Sequence, residues 1–305
     1  MEMTCEEFFE VYREDMLPRL REHTWTSKEY MIKSKLLPHF GKMRMSEIQS
    51  IDIVRWQNAL MSPTRNDGNA YSPTYLRTVN NQLTAILNHT ARYYGLHPNP
   101  AVRTVKMGGK EAKEMTFWTK DEYLKFADVV MEKPAMFAMF EVLYWTGIRV
   151  RELLALTPED FDFENRTMRI NKSYQRLKGH DVIADPKTSK SVRVVKLPKF
   201  LAEEVEDYMR NNWRGKPGTR LFPASKQGLA REIERGSARV GVKRIRVYDL
   251  RHSNVSLLVD MGFTALAIAD RMGHESADIT FRYAHLFPNV QQNMADALDH
   301  GRDAF

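Results

Sequence analysis

The chain has 305 residues, of which 43% are hydrophobic and 28% charged, a length and balance typical of a globular protein with room for two domains. No apolar run is long enough to span a bilayer and no signal-peptide pattern opens the chain, so the sequence predicts a soluble intracellular protein without a membrane partner. The net charge is +7, the single cysteine (Cys5) cannot form an internal disulfide, and no Cys/His cluster with metal-ligand spacing is present, which argues against a structural metal.

The charge is unevenly distributed along the first third of the chain. Residues 1–27 hold three basic and seven acidic residues, a net charge of −4, whereas residues 28–110 hold twelve basic and four acidic residues, a net charge of +8. This change predicts one face turned away from a polyanion and another turned toward it. A solvated charge pattern on a helical domain would have the same composition, so both interpretations stay open for this segment.

The first third is predicted to be helical. Thr4 and Glu7 form a capping box that begins the first helix, and apolar residues follow at helical spacing. Ser72 caps a later helix with Pro73 at its first position, and Gly95 ends it. The apolar stripe of that helix consists of Leu76, Val79, Leu83, Ile86 and Leu87. The segments predicted between these two helices are one from about 26 to 37 that ends at Pro38, a short helix that begins at Ser46, and one from 52 to 60.

A basic, glycine-containing linker at 105–116 marks the predicted domain boundary. Thr119 and Glu122 form a second capping box that opens the next domain, and apolar helices continue to about Leu156. Alternating patterns predict strands, and the remainder from Phe200 on is again mainly helical. The predicted strands are 167–173, 192–197 and a short third at 182–184. The fold class is therefore mainly α: a helical domain, then a mostly helical domain with a small antiparallel sheet.

One candidate site begins in the middle of the chain. Thr146 and Gly147 come just before Arg149, where an apolar helical run starts. Glycine lets the backbone turn there, and the amide groups at a helix start favour an anion. The arginine fork can donate two parallel hydrogen bonds to a phosphodiester, and Glu152 one turn later can orient it. A buried ion pair that only holds helices together would use the same residues.

A second set of polar residues lies near the C-terminus. Tyr248 and Arg251 open a helical run, and His274 and Tyr283 follow. Arg251 can act as a second phosphate clamp, His274 can hydrogen-bond a phosphate oxygen, and the phenol of Tyr283 can attack phosphorus. A single histidine is more often structural, and a tyrosine on an apolar helix is usually core. All of them together with the first arginine predict a site that cleaves a phosphodiester.

Lys187 lies between two predicted strands, in a segment with turn chemistry. We expect it at the tip of a hairpin, where a mobile ammonium can reach into a site and donate a proton. A solvated turn lysine is the usual alternative.

These residues resemble the tyrosine recombinases, the phage integrase family, over nearly the whole chain. The family pattern is an Arg in a Thr-Gly-x-Arg-x-x-Glu string, a hairpin Lys, a His-x-x-Arg string, a Gly-His pair and a nucleophilic Tyr. The matching residues, in chain order, are Thr146-Gly147-Ile148-Arg149 with Glu152, then Lys187, Arg251, Gly273-His274 and Tyr283. The surrounding sequence is most similar to integrases of phages and conjugative transposons of Gram-positive bacteria. The resemblance implies a helical core-binding domain at 1–104, the linker at 105–116 and a tyrosine recombinase catalytic domain at 117–305.

The chain departs from the family pattern at two places. Tyr248 stands where the His of the His-x-x-Arg string is expected. A phenol, with a pKa of about 10, can donate a hydrogen bond but is not a cation at neutral pH. We therefore expect the proton donor to be Lys187. The chain also begins directly at the core-binding domain, so either this member lacks the arm-binding domain of many integrases or the sequence is truncated.

The resemblance implies a mechanism without metal, ATP or another cofactor. Tyr283 would attack a DNA phosphate to form a 3′-phosphotyrosyl bond, which conserves the bond energy, and Lys187 would protonate the 5′-hydroxyl that leaves. Glu152 would brace one of the two arginines. The groups expected to stabilise the transition state by charge or hydrogen bonds are Arg149, Arg251, His274 and Tyr248.

The implied partner is double-stranded DNA at recombination sites, clamped between the two domains with the linker crossing it. The helix that begins after Ser72 is our candidate for groove contact because Asn and Arg can read bases bidentately, although a solvated helix face would look the same. The candidate DNA-contacting residues are Arg77, Asn80, Asn81, Asn88, Arg92, Lys106 and Lys110. We expect binding to weaken steeply with salt.

The resemblance also implies an assembly. A C-terminal tail helix at 288–298 would pack on a neighbouring subunit, giving a monomer in solution and a homotetramer on DNA; docking on its own domain is the alternative. Its apolar positions are Val290, Met294, Ala297 and Leu298. Accessory directionality or DNA-bending proteins are candidate partners, and the implied location is the bacterial cytoplasm, at the nucleoid.

Other functions fit part of the same sequence. A Xer-type resolvase of chromosome or plasmid dimers is the nearest alternative, and Tyr248 and the sequence around Tyr283 argue against it. A type IB topoisomerase-like enzyme would share the chemistry but not strand exchange, and the core-binding domain argues against that. The intact set of site residues argues against a non-catalytic DNA-binding regulator, and a metal-dependent nuclease would be sensitive to a chelator.

Overall fold

The computed structural model describes residues 2–62, 69–109, 115–177, 179–186 and 189–274, and also 295–296 and 298–299. The chain forms two compact units, Met1–Lys113 and Glu114–Phe305. The functional assignment of residues 1–104, 105–116 and 117–305 to a DNA-binding domain, a linker and a catalytic domain remains a prediction. Among the described residues, no helix combines the length and apolar character needed to cross a membrane.

The described part of the first unit is helical. Its α-helices are α1 (Cys5–Met16), α2 (Glu22–Met31), α3 (Leu37–Phe40), α4 (Ser50–Met61) and α5 (Pro73–Tyr93). Aromatic side chains of α1 and α2 fill much of its core: Phe9 stacks on Trp25 at 6.1 Å between ring centroids, and both are buried. The Thr4–Glu7 capping box that begins α1 is confirmed.

Two predicted helix boundaries in the first unit are wrong. The helix predicted to end at Pro38 begins earlier, at Glu22, and continues through a π-helical turn at Ile32–Leu36 into α3. Pro38 lies in the first turn of α3, directly after the π-helical turn, and the chain stays helical through it. No helix begins at Ser46, which lies in a turn; α4 begins after Gln49, whose side chain takes part in a capping box.

The prediction for α5 is confirmed. Ser72 accepts a hydrogen bond from the backbone N–H of Tyr75, and Pro73 occupies the first helical position. The predicted apolar stripe (Leu76, Val79, Leu83, Ile86 and Leu87) is buried in the core of the first unit. The burial of this stripe fixes which face of α5 points outward.

The second unit is mostly helical with small antiparallel β-structure. Its described α-helices are α6 (Lys120–Val130), α7 (Pro134–Thr146), α8 (Val150–Leu153), α9 (Lys199–Asn211), α10 (Lys226–Val240), α11 (Asp249–Asp260) and α12 (Ala265–Met272). The Thr119–Glu122 capping box at the start of α6 is confirmed. The core of this unit includes the hydrophobic helix α7, whose Tyr144 stacks on Tyr123 of α6 at 3.6 Å.

The strands form two separate antiparallel groups rather than one sheet. They are β1 (Phe161–Asp162), β2 (Thr167–Ile170), β3 (Ser173–Leu177), β4 (His180–Ala184) and β5 (Arg193–Lys196). One sheet has the order β1-β2-β5, with Met168 paired to Val195, and β3 and β4 form a hairpin. The strand predicted at 182–184 lies within β4, and the strand predicted at 192–197 contains β5. The stretch predicted as one strand at 167–173 covers β2 and reaches the first residue of β3.

The position of Lys187 at a hairpin tip stays a prediction, and the described β3–β4 hairpin lies before it in the chain. The tip of the β3–β4 hairpin falls between Leu177 and His180, so the segment after Ala184 connects β4 to β5. Lys187 itself lies outside the described residues.

Candidate active site

The turn between α7 and α8 places Arg149. Gly147 ends α7 with φ of 66°, and a Cβ added there would lie 2.6 Å from Cε of Met272 and 2.8 Å from Oδ1 of Asn254. Glycine is required on both grounds, because L side chains rarely adopt this backbone conformation. Arg149 follows as the N-cap residue of α8, at the helix start that the sequence predicted.

Glu152 is held between two arginines. The Nη1 group of Arg149 donates to its Oε1 at 2.7 Å, and the backbone N–H of Arg149 donates to its Oε2 at 2.9 Å. From β5, the Nη1 and Nη2 groups of Arg193 donate to Oε1 at 3.3 Å and Oε2 at 3.0 Å. Burial favours a raised pKa for Glu152, but the two arginines more than offset it, so the pKa is lowered and the carboxylate stays charged.

Arg251 lies in the first turn of α11 and is 2% exposed. Its Nη1 group donates to the carbonyl oxygen of Gly147 at 2.7 Å, and its Nη2 group donates to that of Met272 at 2.8 Å. Burial, together with the nearby charge of Arg149, lowers the pKa of Arg251 to about 10, so it remains a cation at neutral pH. Arg251 therefore links the backbone just before Arg149 to the backbone just before His274.

His274 follows the glycine that ends α12. Gly273 has φ of 65°, its carbonyl oxygen accepts from Nη2 of Arg149 at 3.2 Å, and the N–H of His274 donates to the carbonyl of Ala269 at 3.0 Å. Burial, and then the charges of three arginines led by Arg251, lower the pKa of His274 to about 4. The imidazole is therefore neutral at pH 7, suited to donate or accept a hydrogen bond but not to act as a cation.

We call this set of residues the Glu152 cluster. It consists of Arg149, Glu152, Arg193, Arg251 and His274. The sequence predicted all of them except Arg193, whose strand was predicted but whose side chain was not considered. The alternation of side chains along β5 could have predicted Arg193. It lies two residues before the buried Val195, so both side chains are on the inward face of the strand.

Tyr248 and Asp249 precede the arginine of α11. Tyr248 is 45% exposed and contacts the ring of His252 edge-to-face at 5.1 Å. Asp249 is fully buried; its carboxylate accepts from the backbone and guanidinium of Arg246 and from the hydroxyl of Thr116 at 3.3 Å. Asp249, which the sequence analysis did not single out, thus anchors the start of α11, while the phenol of Tyr248 stays accessible.

The other predicted site residues are placed differently. Asn80 is 4% exposed and accepts a hydrogen bond from Nε2 of Gln57 at 2.8 Å, so its side chain belongs to the interior of the first unit. Asn81, Asn88 and Arg92 are exposed, as is Lys106, and Arg77 is half-buried. The predicted positions that lie outside the described residues are Lys187, Tyr283, Lys110 and most of the tail helix, 288–298.

The fold is similar to that of solved tyrosine recombinases. Part of the Tn1549 transposon integrase, in complex with a circular intermediate DNA, matches with a TM-score of 0.75 at 17% identity, over 90% of this chain and 93% of that one. A lambda integrase dimer bound to a COC′ core site matches with a TM-score of 0.66 at 16% identity, over 91% and 97%. A lambda integrase tetramer bound to a Holliday junction matches with a TM-score of 0.65 at 15% identity, over 90% and 78%. The mainly α fold class, with its small antiparallel sheet, is confirmed.

Two family models match the sequence. The model of the phage integrase family matches residues 116–289, and that of the phage integrase N-terminal SAM-like domain matches residues 4–61. Because the first covers more than half of the chain, the chain belongs to the phage integrase family, the tyrosine recombinases.

Among curated proteins, the chain is 29% identical over 292 residues to the ICEBs1 integrase of Bacillus subtilis, covering 90% of this chain and 77% of that protein. It is 24% identical over 236 residues to the integrase of Mycobacterium phage L5, covering 74% of this chain and 62% of that protein. A XerC-like tyrosine recombinase of Caldanaerobacter subterraneus is 26% identical over 289 residues, covering 84% of this chain and 72% of that protein. The predicted similarity to integrases of Gram-positive mobile elements is confirmed.

Proposed function

We propose that the chain is a site-specific DNA recombinase that integrates and excises a mobile element through a 3′-phosphotyrosyl intermediate on Tyr283. The observation that carries this proposal is the Glu152 cluster. In it, Arg149, Arg251 and the neutral His274, from three separate segments, are brought together by hydrogen bonds at the turns of Gly147 and Gly273. Such preorganised charge suits a reaction whose transition state gains negative charge on phosphate oxygens.

The residues divide the reaction between them. The phenol of Tyr283 gives up its proton to water, and its oxygen forms the new bond to phosphorus as the bond to the 5′-oxygen breaks. Lys187 supplies the proton to the leaving oxygen. Arg149, whose side chain is 35% exposed, and the buried Arg251 stabilise the non-bridging oxygens. His274 and the exposed phenol of Tyr248 add hydrogen bonds. With guanidinium groups in the role of a metal ion and with the bond energy conserved, the proposed reaction uses neither metal nor ATP.

DNA binding by the first unit is proposed for one face of α5. Polar residues recur at helical spacing on the side of α5 opposite the buried stripe, and we call them the polar face of α5. They are Arg77, Asn81, Thr84, Asn88 and Arg92. Asn80 is left out because its side chain is buried against Gln57. The Tn1549 and lambda integrase structures that share the fold were solved with DNA, which supports double-stranded DNA as the partner.

An assembly through the tail is also part of the proposal. An apolar groove of about 570 Å³ on the second unit includes the exposed Phe200, Met261 and Phe263, with basic side chains beside them. The tail pattern at 288–298 offers apolar residues at helical spacing together with one aspartate, Asp296, and Leu298 is 74% exposed. We therefore propose that the tail of a second copy occupies this groove, within a homotetramer on DNA.

The assembly is tested by Met261→Glu in the groove and Leu298→Glu in the tail. Each is expected to remove multi-protomer complexes on DNA, measured by sedimentation, while adduct formation on a single half-site persists. Leu124→Glu, an exposed position of α6 that does not line the groove, is the matched control. If assembly is unchanged but both variants unfold at a lower temperature, the tail docks on its own domain instead.

The catalytic proposal is tested by covalent capture. Duplexes selected for binding to the protein would be nicked so that the cleaved strand is lost, and incubated in EDTA with the wild type or with Tyr283→Phe. We expect a denaturant-resistant adduct with the wild type only. A bound but uncleaved duplex would refute the catalytic proposal, and relaxation of supercoils without strand exchange would point to a topoisomerase-like activity.

A further inference from the structure

We propose that Arg193 is a positioning residue of the recombination site, one that sets the geometry of Arg149 and His274 without contacting the DNA. This inference rests on the proposed function, because it concerns the geometry in which the phosphate would be held.

The burial of Arg193 indicates that its guanidinium binds groups inside the protein. Its side chain is 8% exposed, and arginine is seldom buried to this degree unless its charge is paired. The inward direction follows from strand alternation, since Val195 on the same face of β5 is core. The fork of Arg193 is already paired with both oxygens of a carboxylate, that of Glu152, which leaves the fork no phosphate-facing role.

Each nitrogen of the guanidinium has a protein partner. Nη1 and Nη2 engage the two carboxylate oxygens of Glu152, as described above. Nε donates to the carbonyl of Arg271 at 3.0 Å, and Nη1 also donates to the carbonyl of Ser191 at 3.2 Å. One planar group thereby connects β5 to the start of α8 and to the end of α12.

These contacts link Arg193 to two other residues of the Glu152 cluster, Arg149 and His274. Through Glu152, Arg193 acts on Arg149, whose guanidinium and backbone N–H are bound to the same carboxylate. On the other side, a Cβ added at Gly273 would lie 3.1 Å from Cδ and 3.3 Å from Nε of Arg193, so its side chain packs directly against the residue before His274. Moving Arg193 would shift both groups relative to each other.

A purely structural ion pair would make a different prediction. It would stabilise the fold, and its loss would lower the free energy of unfolding without changing the rate at which a correctly bound complex is cleaved. A positioning residue changes that rate at saturating DNA, and it does so through Glu152. The two interpretations therefore separate in the rate of the bound complex and in the dependence of that rate on Glu152.

The experiment measures single-turnover adduct formation at saturating DNA for Arg193→Gln, Glu152→Gln and the double variant. We expect Arg193→Gln to lower the rate about 100-fold, the size of effect that misplacement of reacting groups by about 1 Å produces, with DNA affinity unchanged. Most of that loss should disappear when Arg193 is changed in the Glu152→Gln background. An equal fold-loss in both backgrounds would overturn the proposal.

Two further variants keep the test decisive. Lys172→Gln removes a cation that pairs with a buried carboxylate, Asp160 at 2.7 Å, and that has no described bond to the Glu152 cluster. It should lower stability but leave the rate intact. Arg193→Lys keeps the charge and the fold but cannot make the four bonds together, so its rate should lie between wild type and Arg193→Gln. If Arg193→Lys, folded and bound to DNA, cleaves as fast as the wild type, the proposal fails. An absence of adduct with the wild type would instead refute the proposed function.

Discussion

The Glu152 cluster and the polar face of α5 both present groups suited to DNA, yet they are held in different ways. In the cluster, Arg251 and Arg193 are buried. Every described hydrogen bond from their guanidinium groups is donated to a protein oxygen. On α5, Asn81 and Arg92 point outward, and it is the opposite, apolar stripe that fixes the helix. Under the proposed roles, charge is preorganised where a transition state would be stabilised and left adaptable where a duplex would be held.

The largest effect is expected at Arg251. Arg251→Gln removes two charged hydrogen bonds to backbone carbonyls and one phosphate-stabilising cation, so we expect adduct formation to fall about 1,000-fold. The carbonyls left without partners should also lower the free energy of unfolding by about 1–3 kcal/mol, measured in urea. Arg251→Lys, which keeps the charge, should be intermediate. Cleavage by Arg251→Gln at the rate of the wild type would contradict the proposed role.

The next effect concerns the turn that carries Arg149. Gly147→Ala meets both a positive φ and the side chains of Met272 and Asn254, so we expect a loss of about 3 kcal/mol in the free energy of unfolding, and slower cleavage. Gly241→Ala is a matched control, because Gly241 has φ of 69° but no neighbour within 4 Å of an added Cβ. It should cost only about 1 kcal/mol and leave cleavage unchanged. Equal costs at the two sites would show that close packing around Gly147 has no energetic role.

A smaller effect is expected from pH. The pKa of His274 is about 4 in the folded chain, below its ordinary value of 6.5, so between these values the unfolded chain binds the proton and stability falls as the pH drops. His274→Gln should therefore lose less stability than the wild type between pH 6.5 and 4, as measured by thermal unfolding. The raised pKa of Glu204, about 7, acts in the opposite sense, so the variant is compared with the wild type at each pH. Parallel curves would contradict the lowered pKa.

The smallest effects distinguish two neighbouring residues of α5. Asn80→Ala removes the buried hydrogen bond to Gln57 and should lower the free energy of unfolding by about 1 kcal/mol while DNA affinity is retained. Asn81→Ala should do the reverse, weakening binding without changing stability. Urea unfolding and DNA titration at two salt concentrations provide the two readings. A loss of affinity in Asn80→Ala alone would mean that the polar face of α5 is assigned to the wrong side of the helix.

Local sequence patterns predicted much of the fold. Capping boxes at Thr4 and Thr119, and the Ser72-Pro73 start of α5, were found correctly because a cap is decided by residues three or four apart. The helix end predicted at Pro38 was wrong because the π-helical turn directly before α3 carries the helix past the proline, and local sequence patterns do not reveal such a turn. The hairpin of β3 and β4 was missed because its pairing depends on residues that carry weak strand signals.

The sequence predicted those residues of the candidate site whose side-chain type itself indicates a chemical role. Arg149, Arg251 and His274 could be named from the sequence, since forked cations and imidazole have few equivalents. Arg193 could not be separated from surface arginines, because its importance comes from burial against Glu152, which only the tertiary structure shows. Asn80 failed as a candidate for the same reason: an asparagine at the edge of a polar face looks exposed until its partner, Gln57, is located.

The sharing of one carboxylate between two arginines has a consequence for the charge of the site. With Glu152 ionised and His274 neutral, the Glu152 cluster holds three cations, Arg149, Arg193 and Arg251, against one anion, a surplus of two positive charges. A DNA phosphodiester carries a single negative charge, whereas the five-coordinate state reached when a phenolate attacks it carries two. For the proposed reaction, the surplus would match the transition state better than the substrate, and that difference would favour reaction over tight binding.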